Sequence, residues 1–544
     1  MQIIEKINIK ELNGFSKIFN DFVNNNDFIK SRFPNNSNTN QGFVESKANS
    51  FKNRNQLIDI IKLSMNCISL SEKQINNLEK IELSNTLTVT TGQQVGFLGG
   101  PLYTFLKISS TINFSQKLSE KHIDYNFVPI FWIEDNDHDN LEASQAVLLD
   151  KSYNLNHFFC SDDLSKEDNT PVSEKFFNKS IRATIQNISS VLKDLPFFNE
   201  IKENIEEFYQ EGSFWTEAFV KLLQDFFAES GILFLRASVA RKSGAFADII
   251  KKELSEIGFS HKIIENGNSK LLENGYKLQA RSFISNLFYH QGNNRYKIRL
   301  NADLNTFQID DNNYSLKELQ DLSEKHPENF SPGVLLRNIC QDYILPNVAY
   351  IGGPSELSYS AQLPELYSAF KIDMPAFIPR HLASFLNLNL LRKIEKYNLN
   401  PSFFMRNWVN VEKEIKQQLS NNQVISELNS ISENLEQKFE VLKKDIGEID
   451  SSLVNSSGVA LHQIQKSIDD LKKKTQNAIL KKSELINDTY KKISNFLYPE
   501  STFQERMISP LYFACIYGKE NFILLLNEIA KEDEICHQVV CQDD

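Results

Sequence analysis

The chain has 544 residues, of which 41% are hydrophobic and 24% are charged. These values are close to the averages of soluble globular proteins, so they exclude a wholly disordered or fibrous chain, and the length predicts at least two domains. Lysine and arginine together number 59 and aspartate and glutamate 70, which gives a net charge of −11. That balance argues against a protein that coats nucleic acid, because such proteins bind phosphates through basic residues.

The sequence also indicates where in the cell the protein is expected. Its first residues have no basic region leading into an apolar one, so we expect no signal peptide. No apolar run reaches the roughly 18 residues that a membrane-spanning helix needs. Six cysteines in a chain of this length are too few for a disulfide framework. We therefore expect a cytoplasmic protein with no membrane and no nucleic-acid partner.

In chain order, residues 1–85 carry helical patterning and no strong strand, and we predict an N-terminal helical segment. Residues 86–91 are rich in β-branched side chains and lead into a glycine-rich turn, a helix-like stretch and a second apolar strand at 127–133. Strand, turn, helix and strand in this order predict a βαβ unit. Segments 231–235 and 348–351 are typical of later strands in the same parallel sheet.

These elements predict an α/β protein with a parallel-sheet core over 86–385. The polar stretches at about 150–225 and 255–330 are too long for loops, so we predict that they are inserted subdomains. Residues 386–500 are predicted to form a helical coiled-coil domain, and 501–544 a C-terminal segment that packs on the core.

The coiled coil is predicted from apolar residues that recur in steps of three and four from Ile425 to Leu453 and again from Leu461 to Leu471. Residues 455–458 interrupt this seam. The first half is acidic and the second is lysine-rich, so the halves could pair as a hairpin folded about Gly458 or between two subunits. A plain solvated lysine face is the other alternative.

The first candidate site is the glycine-rich turn TGQQVGFLGGPLYT at 91–104, which follows a strand and precedes a helix. Backbone amides in such a turn can bind phosphate or carboxylate, and its spacing matches neither the dinucleotide nor the P-loop fingerprint. A tight packing turn is the plain alternative. The predicted cofactor-binding residues are Gly92, Gln93, Gln94, Gly96, Gly100, Tyr103, Thr104 and Lys107, together with Gly352 and Gly353 after a later strand.

The second candidate site is the acidic block EDNDHD at 134–139, directly after a strand of the same sheet. These groups could hold Mg²⁺ with a nucleotide, recognise a substrate amine or act as a general base; a solvated loop with a helix cap is the alternative. We predict catalytic roles for Asp137, His138 and Asp139, with a raised pKa for the flanked histidine. Asp135 is predicted to bind substrate. No fixed metal is predicted, because further ligands are not apparent.

The third candidate site joins a helix face to two arginines. Glu356, Tyr359 and Gln362 stand three residues apart after paired glycines, and we predict that they bind substrate. Arg337 and Arg380 are the best candidates for a two-pronged grip on a carboxylate. Either arginine could instead form a structural ion pair.

These clusters, in this order, resemble the bacillithiol biosynthesis cysteine-adding enzyme family. The family usually carries the acidic block as E-D-H-D, whereas Asn136 intervenes here. The matching stretches are TGQQVGFLGGPLYTFLK, VPIFWIEDNDHD, NLFYHQG, LLRNICQDYILPNVAYIGGPSELSYSAQL, MPAFIPR and FQERMISPLYFACIYG.

The resemblance implies a Rossmann-like, nucleotidyltransferase-like core with two connecting-peptide insertions and a C-terminal coiled coil that builds a homodimer. It implies a ligase that joins the carboxylate of cysteine to the amine of glucosaminyl-malate in the last step of bacillithiol biosynthesis. A carboxylate is a poor electrophile, so we expect activation by ATP or another nucleotide, with Mg²⁺. Neither an HIGH nor a KMSKS motif is present, so adenylation does not follow from the fold. The alternative is a dimeric nucleotide- or metabolite-binding regulator without catalysis.

Overall fold

The computed structural model describes residues 2–35, 41–165, 168–396, 398–420 and 423–541, with the side chains of 415–420, 423 and 478–486 excepted. The chain divides into two compact units. The first unit contains Met1–Leu386 and Thr502–Asp544, and the second contains Asn387–Ser501.

All strands of the described residues belong to the first unit. In chain order they are β1 Gln2–Asn8, β2 Thr86–Gln94, β3 Asn126–Glu134, β4 Gln145–Leu149, β5 Leu155–Phe159, β6 Leu233–Arg236, β7 Leu287–Gln291, β8 Asn294–Lys297, β9 Arg299–Asn301, β10 Thr306–Ile309, β11 Asn312–Tyr314, β12 Phe330–Pro332, β13 Asn347–Gly352, β14 Ala376–Pro379, β15 Leu382–Leu386 and β16 Cys536–Cys541.

Helices surround these strands and make up the second unit. Those of the first unit are α1 Lys17–Val23, α2 Asp27–Ser31, α3 Gln41–Ser50, α4 Arg54–Ser64, α5 Glu72–Ile81, α6 Tyr103–Lys121, α7 Asn140–Ser144, α8 Ser180–Leu192, α9 Phe198–Phe208, α10 Trp215–Phe227, α11 Ala237–Lys242, α12 Ala247–Glu253, α13 Phe259–Glu273, α14 Leu316–Lys325, α15 Val334–Ile344, α16 Pro354–Ser360 and α17 Pro364–Phe370. The second unit holds α18 Leu388–Glu395, α19 Trp408–Ser420, α20 Gln423–Ile449 and α21 Leu453–Leu497, and the first unit ends with α22 Pro510–Tyr517 and α23 Lys519–Ile529.

The centre of the first unit is a parallel sheet in the order β14-β13-β2-β3-β6. Residues 86–92 of β2 and all of β13 are buried, which explains their β-branched and apolar composition: a parallel sheet is covered on both faces. β2 and β3 run in register to their last residues, so Gln94 and Glu134 end side by side. The prediction of an α/β parallel-sheet core is confirmed.

The core of this sheet is apolar on the side that faces α3 and α6. Leu87 and Val89 of β2 pack with Val348 and Ile351 of β13 and with Leu118 of α6. This packing holds the carboxyl ends of β2, β3 and β13 together at one edge of the sheet, where ligands bind in open parallel sheets.

A second sheet joins the two ends of the chain, in the order β1-β16-β15. β1 lies antiparallel to β16, from Gln2 opposite Cys541 to Asn8 opposite Cys536. The prediction of no strong strand in the first 85 residues is therefore wrong. Only Ile7 of β1 is buried, so no apolar alternation marks the strand, and its hydrogen-bond partner comes from the other end of the chain.

The two predicted insertions fill the connections on either side of β6. The connection from β3 to β6 carries the β4-β5 hairpin and helices α8, α9 and α10. The connection from β6 to β13 carries the antiparallel sheets β12-β7-β8 and β11-β10-β9. The β12-β7-β8 sheet matters for function, because it contributes side chains to the site described below.

In the second unit α20 and α21 form an antiparallel hairpin within one chain. At the turn, Ser452 donates its backbone N–H to Asp450 Oδ1 at 2.8 Å, and farther along Lys472 Nζ donates to Asn429 Oδ1 at 2.5 Å. The predicted coiled coil is confirmed, but the predicted break is misplaced: Gly458 lies inside α21. A single glycine costs a helix only about 1 kcal/mol, which packing against the partner helix offsets.

No helix among the described residues combines the length and the apolarity that crossing a membrane requires.

Candidate functional site

A cavity of about 460 Å³ opens at the carboxyl edge of the parallel sheet. We call it the central cavity. It is bounded by the ends of β2 and β3, the first turns of α6, α15 and α16, and the β12-β7-β8 sheet. The residues that line it are Gly92, Gln93, Gln94, Tyr103, Lys107, Glu134, Asp137, Arg281, Phe283, Ser285, Asn286, Phe288, Arg295, Lys297, Pro332, Gly333, Val334, Arg337, Gly353, Ser355, Glu356, Tyr359, Arg380 and Arg506.

Lys107 is the buried cation that connects three walls of the cavity. Its ammonium donates to the carbonyl of Gly92 at 2.7 Å and to Gln93 Oε1 at 2.8 Å, and it pairs with Glu356 Oε2 at 2.6 Å. Burial lowers the pKa of Lys107 to about 8, although Glu356 opposes this. Burial would raise the pKa of Glu356, but Lys107 and neighbouring donors hold it below its ordinary value. All three ammonium hydrogens have acceptors, so Lys107 stabilises the wall.

The glycine-rich turn after β2 is closed by its own hydrogen bonds. Gly99 donates its backbone N–H to the carbonyl of Gly96, and Gly100 donates to that of Phe97, each at 3.1 Å. A Cβ on Gly96 would lie 2.6 Å from the Cα of Gly100, so the turn requires glycine for close packing. The structure places Gly96, Gly100 and Thr104 outside the central cavity. The geometry supports the packing alternative for these three residues and not a phosphate cradle.

The second pair of glycines, Gly352 and Gly353, also forms backbone hydrogen bonds within the protein. Gly352 ends β13 away from the cavity lining and accepts a hydrogen bond from the backbone of Arg380 at 2.9 Å. Gly353 does line the cavity, but its N–H is donated to Glu356 Oε2 at 2.7 Å. Tyr359 lines the cavity one turn farther along α16. Here too the amide that a phosphate would need already has an acceptor inside the protein.

Three predicted site residues anchor neighbouring structure and do not face the cavity. Asp135 is fully buried and accepts hydrogen bonds from Arg236 Nε at 3.0 Å and from the hydroxyl of Ser238 at 2.6 Å. Asp139 caps α7. Gln362 is buried and bonds to the loop before β7. The roles predicted for Asp135 and Gln362 in substrate binding and for Asp139 in catalysis find no support in this geometry.

His138 lies behind the cavity wall and not in its lining, whereas Asp137 lines the cavity. Arg295 Nη1 donates to Asp137 Oδ1 at 3.1 Å and to His138 Nδ1 at 3.2 Å. Burial, followed by the positive charge of Arg295, lowers the pKa of His138, and the two flanking aspartates do not reverse this. The predicted raised pKa is wrong, because the burial of His138 and the position of Arg295 on β8 cannot be read from the residues around the histidine.

Two arginines of the cavity wall are held by hydrogen bonds to the protein. Arg295 also donates to the carbonyl of Pro332 at 3.1 Å, and Arg337 donates to Gln341 Oε1 and to the Tyr359 hydroxyl at 3.1 and 2.9 Å. These contacts orient the guanidinium groups. They leave Arg337 little freedom for the two-pronged grip on a substrate carboxylate that the sequence suggested.

Arg380 is held by an acid from the C-terminal segment. Its Nη1 and Nη2 atoms donate to the two carboxylate oxygens of Glu505 at 3.0 and 2.6 Å, and both side chains are 1% exposed. The structural ion-pair alternative therefore describes Arg380. Its buried Nε has no hydrogen-bond partner among the described residues.

Three other cations of the cavity have no such partner. Arg281, Lys297 and Arg506 form no ion pair or hydrogen bond with any residue that the structure describes. Two of them contact aromatic rings: Lys297 Nζ lies 2.8 Å from the centre of the Phe283 ring, and the Arg506 guanidinium lies 5.9 Å from the centre of the Tyr103 ring. These are the positive charges that the cavity offers to a ligand.

Glu134 is the carboxylate at the carboxyl end of β3. Its Oε2 accepts a hydrogen bond from Trp132 Nε1 at 3.0 Å. Burial raises the pKa of Glu134, although Arg337, Trp132 and Arg295 favour its charged form. Glu134 forms no ion pair with either arginine among the described contacts, so its carboxylate faces the cavity without a counter-ion. A carboxylate in that setting can accept a proton from a bound amine.

Among the described residues, no group of three histidine, cysteine, aspartate or glutamate side chains is arranged to hold a metal ion.

Two family models together span almost the whole chain. Residues 1–381 match the N-terminal Rossmann-like domain of the bacillithiol biosynthesis protein BshC, and residues 383–541 match its C-terminal coiled-coil domain. The chain belongs to the BshC family. The family resemblance inferred from the six sequence blocks is thereby confirmed.

Curated relatives in the BshC family align over most of their length. A protein named "Putative cysteine ligase BshC" from Chlorobaculum tepidum is 30% identical over 503 residues, covering 90% of this chain and 88% of the relative. Proteins of the same name from Cytophaga hutchinsonii and Flavobacterium johnsoniae are 26% and 28% identical and cover 94% and 95% of both chains. The chain is therefore similar to proteins of that name over both of its units.

Several cavity residues of this BshC-family protein were not predicted from its sequence. Glu134 opens the acidic block and Arg506 lies in the C-terminal matching block, so a signal for both was present. Asn286 and Phe288 lie in another such block. Arg281 and Lys297 lie in a polar insertion with no motif, and only the fold brings them to the cavity.

Proposed function

We propose that this protein is a ligase that joins the carboxyl group of cysteine to the amine of glucosaminyl-malate, the last step of bacillithiol biosynthesis. Membership of the BshC family supports the ligase class. The observation that carries the proposal is the central cavity itself, in which a carboxylate without a counter-ion and unpaired cations share one space at the carboxyl edge of the sheet. An amine substrate that carries carboxylates needs both kinds of group.

The step that this chain's own residues can promote is removal of a proton from the amine. An amine is protonated near neutral pH and becomes a nucleophile only after one proton leaves. Glu134 is proposed to accept that proton, because it lines the cavity and forms no ion pair with a described residue. The amine nitrogen then bonds to the carbonyl carbon of cysteine while the group that activated this carbon leaves with the bonding electron pair.

Asp137 is proposed to orient the substrate amine beside Glu134. It lines the same wall, and its two carboxylate oxygens accept hydrogen bonds from the side chains of Gln94 and Arg295. His138 supports this arrangement as a neutral hydrogen-bond acceptor for Arg295 and is not assigned to proton transfer. Catalysis is thus proposed to centre on the first acid of the block.

Activation of the cysteine carboxylate by ATP with Mg²⁺ is proposed on chemical grounds alone. The amides of Gly99, Gly100 and Gly353 donate within the protein and do not fit the phosphates of a nucleotide. No residue is therefore assigned to ATP.

We also propose that the protein works as a homodimer in the cytoplasm. All six cysteines are free thiols, which fits a reducing compartment. Apolar side chains remain exposed on the α20-α21 hairpin, among them Leu442 at 44% and Leu471 at 52%. A second copy of the hairpin would cover them.

The proposed reaction is tested by mass spectrometry of the purified protein with cysteine and glucosaminyl-malate, with and without ATP and Mg²⁺. We expect a product of the mass of bacillithiol that requires ATP, with AMP or ADP released in equal amount. A control with serine in place of cysteine reports the need for the thiol. Ligand binding without product in any mixture would contradict the ligase and favour a dimeric regulator.

A further inference from the structure

We propose that Arg281 and Lys297 form an anion subsite in the wall of the central cavity, for a doubly charged group that is either a dicarboxylate or a phosphate. This inference deepens the proposed ligase and rests on it, because it names the chemistry by which the same cavity would hold a charged substrate.

The positions of the two cations are set by the insertion that precedes and includes the β7-β8 hairpin. Lys297 is the last residue of β8 and pairs with Phe288 of β7. Its ammonium rests over the ring of Phe283, with 2.8 Å between Nζ and the ring centre. The backbone N–H of Phe283 donates to Asn286 Oδ1 at 3.2 Å. The ring of Phe283 is 40% exposed, so a cation–π contact at the surface of the wall, and not an acid, positions the ammonium.

The anchor continues into the buried core of the insertion. Asn286 Nδ2 donates to the hydroxyl of Ser260 at 2.7 Å, and that hydroxyl donates to Glu253 Oε1 at 2.7 Å. Glu253 also accepts the backbone N–H of Asn286 at 3.3 Å. Asn286, Ser260 and Glu253 are buried, so Asn286 is fixed in the protein and in turn holds the backbone of Phe283, two residues after the exposed Arg281.

The charge around Lys297 is unbalanced. Burial and then the positive charges of Arg299 and Arg281 lower its pKa to about 8, and no carboxylate opposes them. Lys107 at the opposite wall has the same lowered pKa but is paired with Glu356. Cations held close together without an acid repel one another, and a bound anion would relieve that repulsion.

The other cations of the wall cannot serve this purpose equally well. Lys107, Arg295 and Arg380 are paired with Glu356, Asp137 and Glu505, and Arg337 donates hydrogen bonds to Gln341, Tyr350 and Tyr359. Arg281 and Lys297 lie on one insertion and offer two positive charges to one ligand. A dicarboxylate on the substrate or the phosphates of an activating nucleotide would match that pair, and the test below separates these sources.

The test measures the reactivity of individual lysines in the full-length protein by trace labelling with acetic anhydride from pH 6 to 10, followed by peptide mass spectrometry. The added probes are malate, inorganic pyrophosphate and sodium chloride at equal ionic strength. We expect one of the two multivalent anions to protect Lys297 and to move its labelling midpoint above pH 8, because a bound anion favours the charged ammonium. Lys262, which is exposed and paired with Glu256, is the control and should not change.

Protection by malate assigns the subsite to a dicarboxylate, and protection by pyrophosphate assigns it to phosphate. Arg281→Met is expected to weaken the binding of the protecting anion about tenfold, the value of one charged hydrogen bond, whereas Lys262→Met should bind normally. Arg281 is exposed and unpaired, so its variant should fold, and the wild-type labelling stands independently of it.

Protection of Lys297 no greater than that by chloride, or normal binding by Arg281→Met, would overturn the subsite. Both readouts are independent of turnover. Protection without product formation would therefore contradict only the ligase, whereas product formation by Arg281→Met with an unchanged KM for both glucosaminyl-malate and ATP would contradict only the subsite.

Discussion

Replacing Glu505 by glutamine is expected to destabilise the first unit strongly. Glu505 comes from the C-terminal segment and accepts hydrogen bonds from Arg380 at 2.6 and 3.0 Å and from the backbone N–H of Ala383 at 2.9 Å. Burial alone would raise the pKa of Glu505, but Arg380 holds it below its ordinary value, so the pair is ionic. Glutamine keeps the shape and removes the charge.

The size of the effect follows from burial. Both side chains are 1% exposed, so in Glu505→Gln the guanidinium of Arg380 would stay buried without a counter-charge and would face an amide that is itself a donor. Removing one partner of such a pair costs about 3–5 kcal/mol. The matched control is Glu528→Gln, because Glu528 pairs with Lys531 at the surface, with side chains 51% and 61% exposed. An exposed pair contributes about 0–1 kcal/mol.

Urea unfolding followed by tryptophan fluorescence measures this difference. Trp132 and Trp215 report on the first unit and Trp408 on the second, so a Trp408→Phe background isolates the unit of interest. We expect Glu505→Gln to lose about 3 kcal/mol or more of unfolding free energy and Glu528→Gln to lose less than about 1 kcal/mol. Equal losses in the two variants would refute the reasoning that the buried pair joins the C-terminal segment to the core.

Three further outcomes are expected. Glu134→Gln should lower the rate of amide formation about 100-fold or more while both substrates still bind, as measured by rapid quench and calorimetry; an unchanged rate would exclude Glu134 as the base. Burial raises the pKa of Glu253 to about 7, so the proton that the folded state holds between pH 4.5 and 7 stabilises it, and this stability is lost as pH rises through that window. From pH 5 to pH 8 the urea midpoint should therefore fall less in Glu253→Gln than in wild type or in the exposed control Glu256→Gln. Equal falls in all three proteins would contradict the raised pKa of Glu253. Leu471→Glu should dissociate the proposed dimer in light scattering, whereas a monomeric wild type would contradict dimerisation.

Much of the fold could be predicted because it depends on local pattern. The apolar and β-branched runs that became β2, β3 and β13 are short and end at glycines or acids, which is the signature of buried parallel strands. The seam from Ile425 to Leu453 is periodic over many turns, so it identifies long paired helices in the same way. β1 had no such pattern, since its partner lies at the other end of the chain.

The candidate site was predictable where its residues lie at strand ends or on the helices next to them. Gln93 and Gln94 end β2, Asp137 follows β3, and the predicted Lys107 and Glu356 lie on α6 and α16, and all of them line the cavity. Asp135 and Asp139 stand in the same block but face other parts of the protein, because Asp135 binds Arg236 and Asp139 caps α7.

By itself, the sequence determined the parallel-sheet core, the coiled coil and membership of the BshC family, because these depend on local periodicity and on contiguous blocks of residues. The tertiary structure decided which charges are free. Burial and then Arg295 reverse the expected pKa shift of His138, and Glu505 occupies Arg380, although Arg295 and Glu505 come from distant segments. Charge and burial act over a few ångströms in space, so the chemistry of the cavity depends on residues that sequence distance separates.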